Sequence, residues 1–114
     1  MSSYIVMIYG DEQVWESWTE EQGRVNAAAH GAFHQRYGAA VVGGHELERS
    51  HQARSVRVDE GGDQQITSGP FLAGPNVLGG YYVIEAADLD AAIALAKDLP
   101  ERVVEVRPLV EGGN

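Results

Sequence analysis

The order of apolar and polar residues predicts four main strands separated by two helices. "YIVMIY" near the start and "YYVI" after residue 80 are apolar without alternation, which indicates strands with two buried faces. Shorter strands are predicted at residues 39–44 and in "RVVEVRPLV", residues 102–110. Strands interleaved with helices on this scale predict an α+β fold.

Helix signals occur at two places in the chain. Thr19 and Gln22 form a capping-box pattern ahead of a helix over residues 20–37. Asp88 can N-cap a second helix over residues 89–99. An apolar stripe of the first helix is expected to face the core, with Phe33 at its flank. Its members are Val25, Ala28, Ala29, Ala32 and Arg36.

A hairpin is predicted between the two halves of the chain. Gly61 and Gly62 separate two alternating segments, which predicts a type I′ turn with positive φ at both glycines. The order is then βαβ, hairpin, βαβ, which predicts a ferredoxin-like split βαβ sheet with two helices on one face. The other face stays apolar, so a homodimer packed sheet to sheet is expected. No linker interrupts the chain, so one domain over residues 1–114 is predicted.

Composition excludes several classes of function. Seventeen acidic against eight basic residues give a net charge of −9, which disfavours nucleic-acid binding. The chain has no cysteine, which excludes disulfides and thiolate metal sites and fits a cytoplasmic location. No apolar run of about 20 residues is present, so no membrane partner is expected. No nucleotide-binding glycine motif occurs, and no cofactor is predicted.

The histidines are the first candidates for chemistry. His30 and His34 lie one helical turn apart, but Gly31 stands where a zinc-protease motif needs glutamate, and no metal site is predicted. His30 falls at the edge of the apolar stripe near Phe33. Two interpretations stay open: a histidine facing a cleft as an acid or base, or a partly buried histidine bonded to a carbonyl or water.

Several motifs occur in an order typical of one family. They are "IVMIYGDE", "AAHGAFHQRYG", "VVGGHEL", "SGPF", "LGGYYVIEAADLDAAIALA" and "VEVRP". Together they resemble the YCII-related family, in particular its DGPF-type members, over about residues 4–110. The resemblance implies a ferredoxin-like dimeric α/β barrel with a cleft where a helix histidine meets a loop aspartate. It implies either an enzyme of small apolar or aromatic molecules or a regulatory protein linked to sigma-factor transcription control.

The resemblance places the family's residues at particular positions here. His30 matches the family histidine, and residues 69–71 match the last three of the DGPF signature. Ser68 stands where the signature has aspartate. Serine can orient an imidazole but supplies no charge, so Asp11 or Glu12 is an alternative source of the carboxylate.

The candidate catalytic residues are therefore His30 and Ser68, in acid/base chemistry on an unknown small molecule. The alternative is a non-catalytic module that binds the same kind of molecule. Alternation along the strand places Tyr81 and Tyr82 on opposite faces, so only one of them can line a given cleft. The candidate substrate-binding residues are aromatic: Phe33, Phe71, Tyr81 and Tyr82.

Overall fold

The sequence predicts a frayed tail at residues 111–114; the computed structural model describes residues 1–111, so most of that tail lies outside the described residues. Within residues 1–111 the chain forms six strands and three α-helices. The strands are β1 (Ser2–Gly10), β2 (Val41–Glu46), β3 (Arg54–Val58), β4 (Gln64–Ser68), β5 (Val77–Ala86) and β6 (Val103–Pro108). The helices are α1 (Glu12–Glu16), α2 (Glu20–Tyr37) and α3 (Leu89–Ala96), and a single 3-10 turn covers Ser50–Gln52. None of these helices is long and apolar enough to cross a membrane.

The main sheet has four antiparallel strands in the order β2-β5-β1-β6. Strands β3 and β4 pair only with each other and form the hairpin between β2 and β5. The predicted α+β class is confirmed. The strand order, with α2 and α3 as the connections between strands, is compatible with the predicted ferredoxin-like fold.

The core lies between the helices and one face of the main sheet. Tyr4 of β1 pairs with Ile84 of β5, and Val6 pairs with Tyr82, so these four side chains share that face. Val6 and Ile84 are fully buried. Helix α3 covers them with its own buried residues, which are Ala92, Leu95 and Ala96. The core is therefore built from the two central strands, α3 and Phe33 of α2.

Helix α2 packs on a different side from the one predicted. Phe33 is its one buried residue, while Val25 of the predicted stripe is 59% exposed. The stripe prediction was wrong. Three of its five members are alanines, which gain little free energy from burial, whereas one phenylalanine buries far more apolar area. The large side chains of Phe33 and Tyr37 set the orientation of α2 instead.

The hairpin forms as predicted, but its turn is of another type. Gly62 has φ of 87°, and Gly61 does not have a positive φ. The amide of Gly62 donates to the carbonyl of Asp59 at 3.0 Å, and the Asp59 amide donates to the Asp63 carbonyl at 2.9 Å. This is a three-residue connection in which a type I turn leads into one left-handed glycine. The Asp59 carboxylate fixes it by accepting from the Asp63 amide at 2.8 Å.

Truncation of Ile84 tests this description of the core. Ile84→Ala should lower the free energy of unfolding by about 2–5 kcal/mol, because it leaves a cavity under α3. Ile84→Val should cost only about 0.5–1.5 kcal/mol. Ile66 of the hairpin is 70% exposed, so Ile66→Ala is the control and should change stability by less than about 0.5 kcal/mol. Urea unfolding measures all three, and equal losses at Ile84 and Ile66 would contradict the assignment of the core.

Candidate functional site

A half-open cavity of about 980 Å³ lies between α2 and the end of the main sheet where β1 finishes and β5 begins. This volume is at the upper end of the range that holds small organic molecules, roughly 300–1,000 Å³. Helix α2 contributes one wall and strands β2 and β5 another. The polar and aromatic lining residues are Trp15, Trp18, Asn26, His30, His34, His45, Glu46, Arg49, Tyr81, Tyr82 and Glu101.

The imidazole of His30 is held at both ring nitrogens on the wall of this cavity. Nδ1 lies 2.9 Å from the hydroxyl oxygen of Tyr82 on β5. Nε2 lies 2.6 Å from Oε2 of Glu101, in the connection between α3 and β6. The His30 side chain is 21% exposed and that of Glu101 is 11% exposed. A histidine from a helix, a tyrosine from a strand and a carboxylate from a loop thus form one continuous chain of contacts.

The chemistry of the partners assigns the protons in this chain. An ionised carboxylate can only accept hydrogen bonds, so Nε2 of His30 donates to Glu101. In the neutral imidazole Nδ1 then accepts from the hydroxyl of Tyr82. If the ring gains a second proton, Nδ1 becomes a donor, and the Tyr82 hydroxyl can donate into the cavity instead. Tyr82 therefore ends this chain of contacts at the cavity.

The surroundings keep the Tyr82 hydroxyl protonated. Burial raises the pKa of Tyr82 above its ordinary value, and the negative charges of Glu101 and Glu46 raise it further. The neutral hydroxyl can both donate and accept a hydrogen bond. Its ring also packs at 5.4 Å from the ring of Phe33, which fixes its position from behind.

Trp15 closes one end of the cavity, and glycines make room for it. An added Cβ at Gly79 would lie 2.6 Å from Cη2 of Trp15, and one at Gly10 would lie 2.3 Å from Cζ2. The indole therefore rests directly on the backbone of β1 and β5. Arg49 lies over the same indole, 5.2 Å from its ring centroid.

Helix α1, which carries Trp15, is bound to Arg49 and Ser50 in the segment between β2 and β3. The Ser50 amide donates to Glu12 at 2.6 Å and the Ser50 hydroxyl donates to Glu12 at 2.5 Å. These bonds, the hydroxyl's first, hold the pKa of Glu12 below its ordinary value. Arg49 donates to Glu16 at 2.8 Å. Asp11 N-caps α1 by accepting from the Gln13 amide at 2.9 Å.

Neither acidic residue after β1 therefore supplies the carboxylate of His30. Glu12 is engaged by Ser50 and Asp11 by its own helix. Glu101 holds that place. The alternative that named Asp11 or Glu12 as the substitute was wrong, because both residues are used to fasten α1.

Ser68 and Phe71 lie away from the cavity within one chain. Ser68 ends β4, where it pairs with Arg54 and is exposed. Phe71 is 62% exposed and lies under the guanidinium of Arg57 at 4.9 Å from the ring centroid. Neither residue lines the cavity. The expected His30–Ser68 pair does not form in this chain, because the hairpin directs Ser68 away from α2.

The other aromatic candidates divide between the core and the cavity. Phe33 is 3% exposed and supports Tyr82 from behind rather than lining the space. Tyr82 faces α2, as its contact with His30 requires. Tyr81 points to the opposite face, where its ring lies 6.0 Å from that of His45. Both tyrosines line the cavity, so the expectation that only one of them could do so was wrong.

Glu101 was not among the site residues that the sequence predicted. It follows Pro100, which ends the segment after α3, and an acidic residue at such a turn resembles many exposed turn residues. The topology brings it beneath the middle of α2, 71 positions away from His30. No local pattern encodes a contact over that separation.

Comparison with known proteins identifies the family to which this chain belongs. The YCII-related domain model matches residues 2–111. The chain belongs to the YCII-related family. An uncharacterized protein of Rhizobium meliloti (strain 1021) is 31% identical over 113 residues, which cover 93% of this chain and 90% of that protein. The resemblance that the motifs indicated is therefore confirmed at the level of the YCII-related family.

The contact between Trp15 and Gly79 allows a direct test of the cavity wall. Gly79→Ala should destabilise the fold by about 1–3 kcal/mol and displace the indole, because its Cβ overlaps Trp15. The expected signal is a red shift of tryptophan emission together with a lower urea midpoint.

Gly31→Ala on α2 is the matched control for that change. No atom lies within 4 Å of its added Cβ, so it should leave the emission unchanged and stabilise the helix by about 0.5–1 kcal/mol. Identical behaviour of the two variants would show that Trp15 does not rest on Gly79.

Proposed function

We propose that this protein is an acid/base enzyme in which Glu101, His30 and Tyr82 move a proton to and from a small molecule in the cavity. The single observation that supports this proposal is the occupation of both His30 nitrogens, by Tyr82 at 2.9 Å and Glu101 at 2.6 Å, at the cavity wall. A carboxylate, an imidazole and a hydroxyl in this order resemble the arrangement that activates hydroxyl groups in many enzymes.

In the proposed reaction the proton passes from the ligand through Tyr82 to His30. A ligand group X–H gives its proton to the Tyr82 oxygen while the Tyr82 proton passes to Nδ1 of His30. The X–H and O–H bonds break, and new O–H and N–H bonds form. Glu101 stabilises the resulting imidazolium through the hydrogen bond at Nε2. The reverse transfer returns a proton to the ligand, so the site can shift a proton within one molecule.

In this proposal Ser68 does not transfer a proton, because Glu101 supplies the negative charge that a serine side chain lacks. The aromatic side chains and the mixture of polar groups favour a small aromatic or apolar substrate with one proton-bearing group. The finer assignment to DGPF-type members rests on residues 69–71 and stays part of the proposal.

A non-catalytic binding module is the second candidate. It is favoured by the same geometry, because His30 has both nitrogens engaged within the chain and none directed at a ligand. In that case the contacts hold α2 in place and the cavity only binds. The regulatory role linked to sigma-factor control, which the resemblance implies, belongs to this second candidate.

Proton exchange with solvent deuterium separates the two candidates. Small aromatic ketones, some with an amino group, are incubated with the protein in D₂O, and NMR measures loss of the protons beside the carbonyl. The enzyme should accelerate exchange, and His30→Ala, Tyr82→Phe and Glu101→Gln should each lower the rate by about 10²-fold or more. Glu85→Gln, at an exposed position on β5, is the control and should keep the rate. Binding without accelerated exchange would favour the binding module.

The same site has a signature that needs no substrate. Nitrogen NMR of His30 should report the tautomer with the proton on Nε2, and Glu101→Ala should replace it with a mixture of tautomers, because the accepting carboxylate is gone. A mixture already present in the wild type would contradict the assignment of protons.

We also propose that two copies associate through the uncovered face of the main sheet. Ile5 and Met7 of β1 alternate with the core residues and point to that face, where Val83 of β5 pairs with Ile5. The shortest dimension of the chain is 18 Å, which equals about one helix layer on one sheet layer at roughly 10 Å each. An apolar face left open in this way favours a partner.

Sedimentation velocity tests this association. The wild type should sediment as a dimer at micromolar concentration, and Met7→Glu should convert it to a monomer because it places a charge in the apolar contact. Val25→Glu, on the exposed side of α2, should stay dimeric. A monomeric wild type would overturn the proposal.

A further inference from the structure

The charges around the cavity do not balance. Arg49 is compensated by Glu16, to which its Nε donates at 2.8 Å. Glu101 is engaged by His30 at 2.6 Å. The carboxylate of Glu46, by contrast, makes no side-chain hydrogen bond or ion pair within the part of the chain that the structure describes. The cavity is thus left with one unmatched negative charge.

Glu46 lies beside the end of the proton chain. It is the last residue of β2, where it pairs with Gly80 of β5, and two positions earlier on the same face of β2 Gly44 pairs with Tyr82. Its charge reaches the Tyr82 hydroxyl, where it raises the pKa after burial and Glu101. A carboxylate and a neutral hydroxyl therefore border the same part of the cavity, and both can accept hydrogen bonds.

Aromatic side chains complete the surroundings of that space. Trp15 and Trp18 line the cavity from the β1–α2 connection, and Tyr82 lines it from the sheet. Aromatic ring faces attract both flat apolar groups and cations. Within this chain a cation already uses one such face, since the Arg49 guanidinium lies over Trp15.

We propose that the cavity binds a small aromatic amine in its ammonium form, with Glu46 as the counter-charge and Tyr82 as a hydrogen-bond acceptor. An ammonium group supplies N–H donors to both acceptors and neutralises the unmatched charge. The net charge of −9 attracts such a cation over a longer distance. The inference rests on the proposed function in using the same cavity, where the ammonium is a proton source for Tyr82.

Three probes of nearly equal shape test the charge preference. Phenethylamine, phenethyl alcohol and hydrocinnamate differ in the group at the end of a phenyl chain, which is cationic, neutral or anionic at neutral pH. Binding is followed by tryptophan emission and by proton NMR. The amine should bind about fivefold or more tightly than the alcohol, and the carboxylate should bind most weakly. The advantage of the amine should shrink as salt concentration rises.

Two substitutions that each remove one negative charge show which residue causes the preference for the amine. Glu46→Gln should remove the advantage of the amine while binding of the alcohol stays within about twofold. Glu48→Gln is the matched control: it removes an identical charge two positions later, and Glu48 does not line the cavity. Glu46 is exposed, so the fold should tolerate its replacement, and circular dichroism checks this.

Each other outcome overturns the proposal. Equal binding of amine and alcohol, preference for the carboxylate, or no binding of any probe would exclude an amine site. An equal effect of Glu46→Gln and Glu48→Gln would assign the preference to overall charge. The test is separate from that of the proton chain: the tautomer of His30 and the exchange rates can fail while amine selectivity persists, and the reverse also holds.

Discussion

The imidazole of His30 joins three parts of the fold through polar contacts that add to those of the apolar core. It links α2 to Tyr82 on β5 and to Glu101 before β6. Helix α2 has 18 residues but buries only Phe33, so apolar packing alone gives it little hold on the sheet. A second polar contact, from the Tyr37 hydroxyl to Asp98, fastens its other end. Because a few side-chain contacts hold α2 and most of the helix does not pack against the sheet, a cavity remains between the two.

The rest of the cavity depends on where side chains are missing. Gly10 and Gly79 leave a surface on which the Trp15 indole can lie. Helix α1 is too short to hold itself in place. Its contacts with Ser50 and Arg49 fix it to the segment that leads into the hairpin. The walls of the site therefore come from connections between strands, while the strands supply a rigid floor.

The source of the carboxylate distinguishes this chain from the pattern that its motifs resemble. Ser68 stands at the expected aspartate position, and in the structure it lies on the hairpin, away from His30. Glu101 reaches the same imidazole from the opposite half of the chain. An imidazole needs one acceptor to fix its tautomer and balance its charge, and any carboxylate at hydrogen-bond distance meets that need. A serine at position 68 is thus compatible with the acid/base chemistry proposed for this chain.

Local sequence determined the elements and the helix starts. The capping box is present, with Thr19 and Gln22 bonded reciprocally at 2.9 and 3.1 Å, and Tyr81 and Tyr82 alternate along β5. These features follow from contacts within a few residues. Tertiary structure alone decided which side of α2 faces inward and that Glu101 meets His30. Periodicity gives the spacing of a stripe but not its partner, and a contact over 71 positions depends on how the whole sheet is ordered.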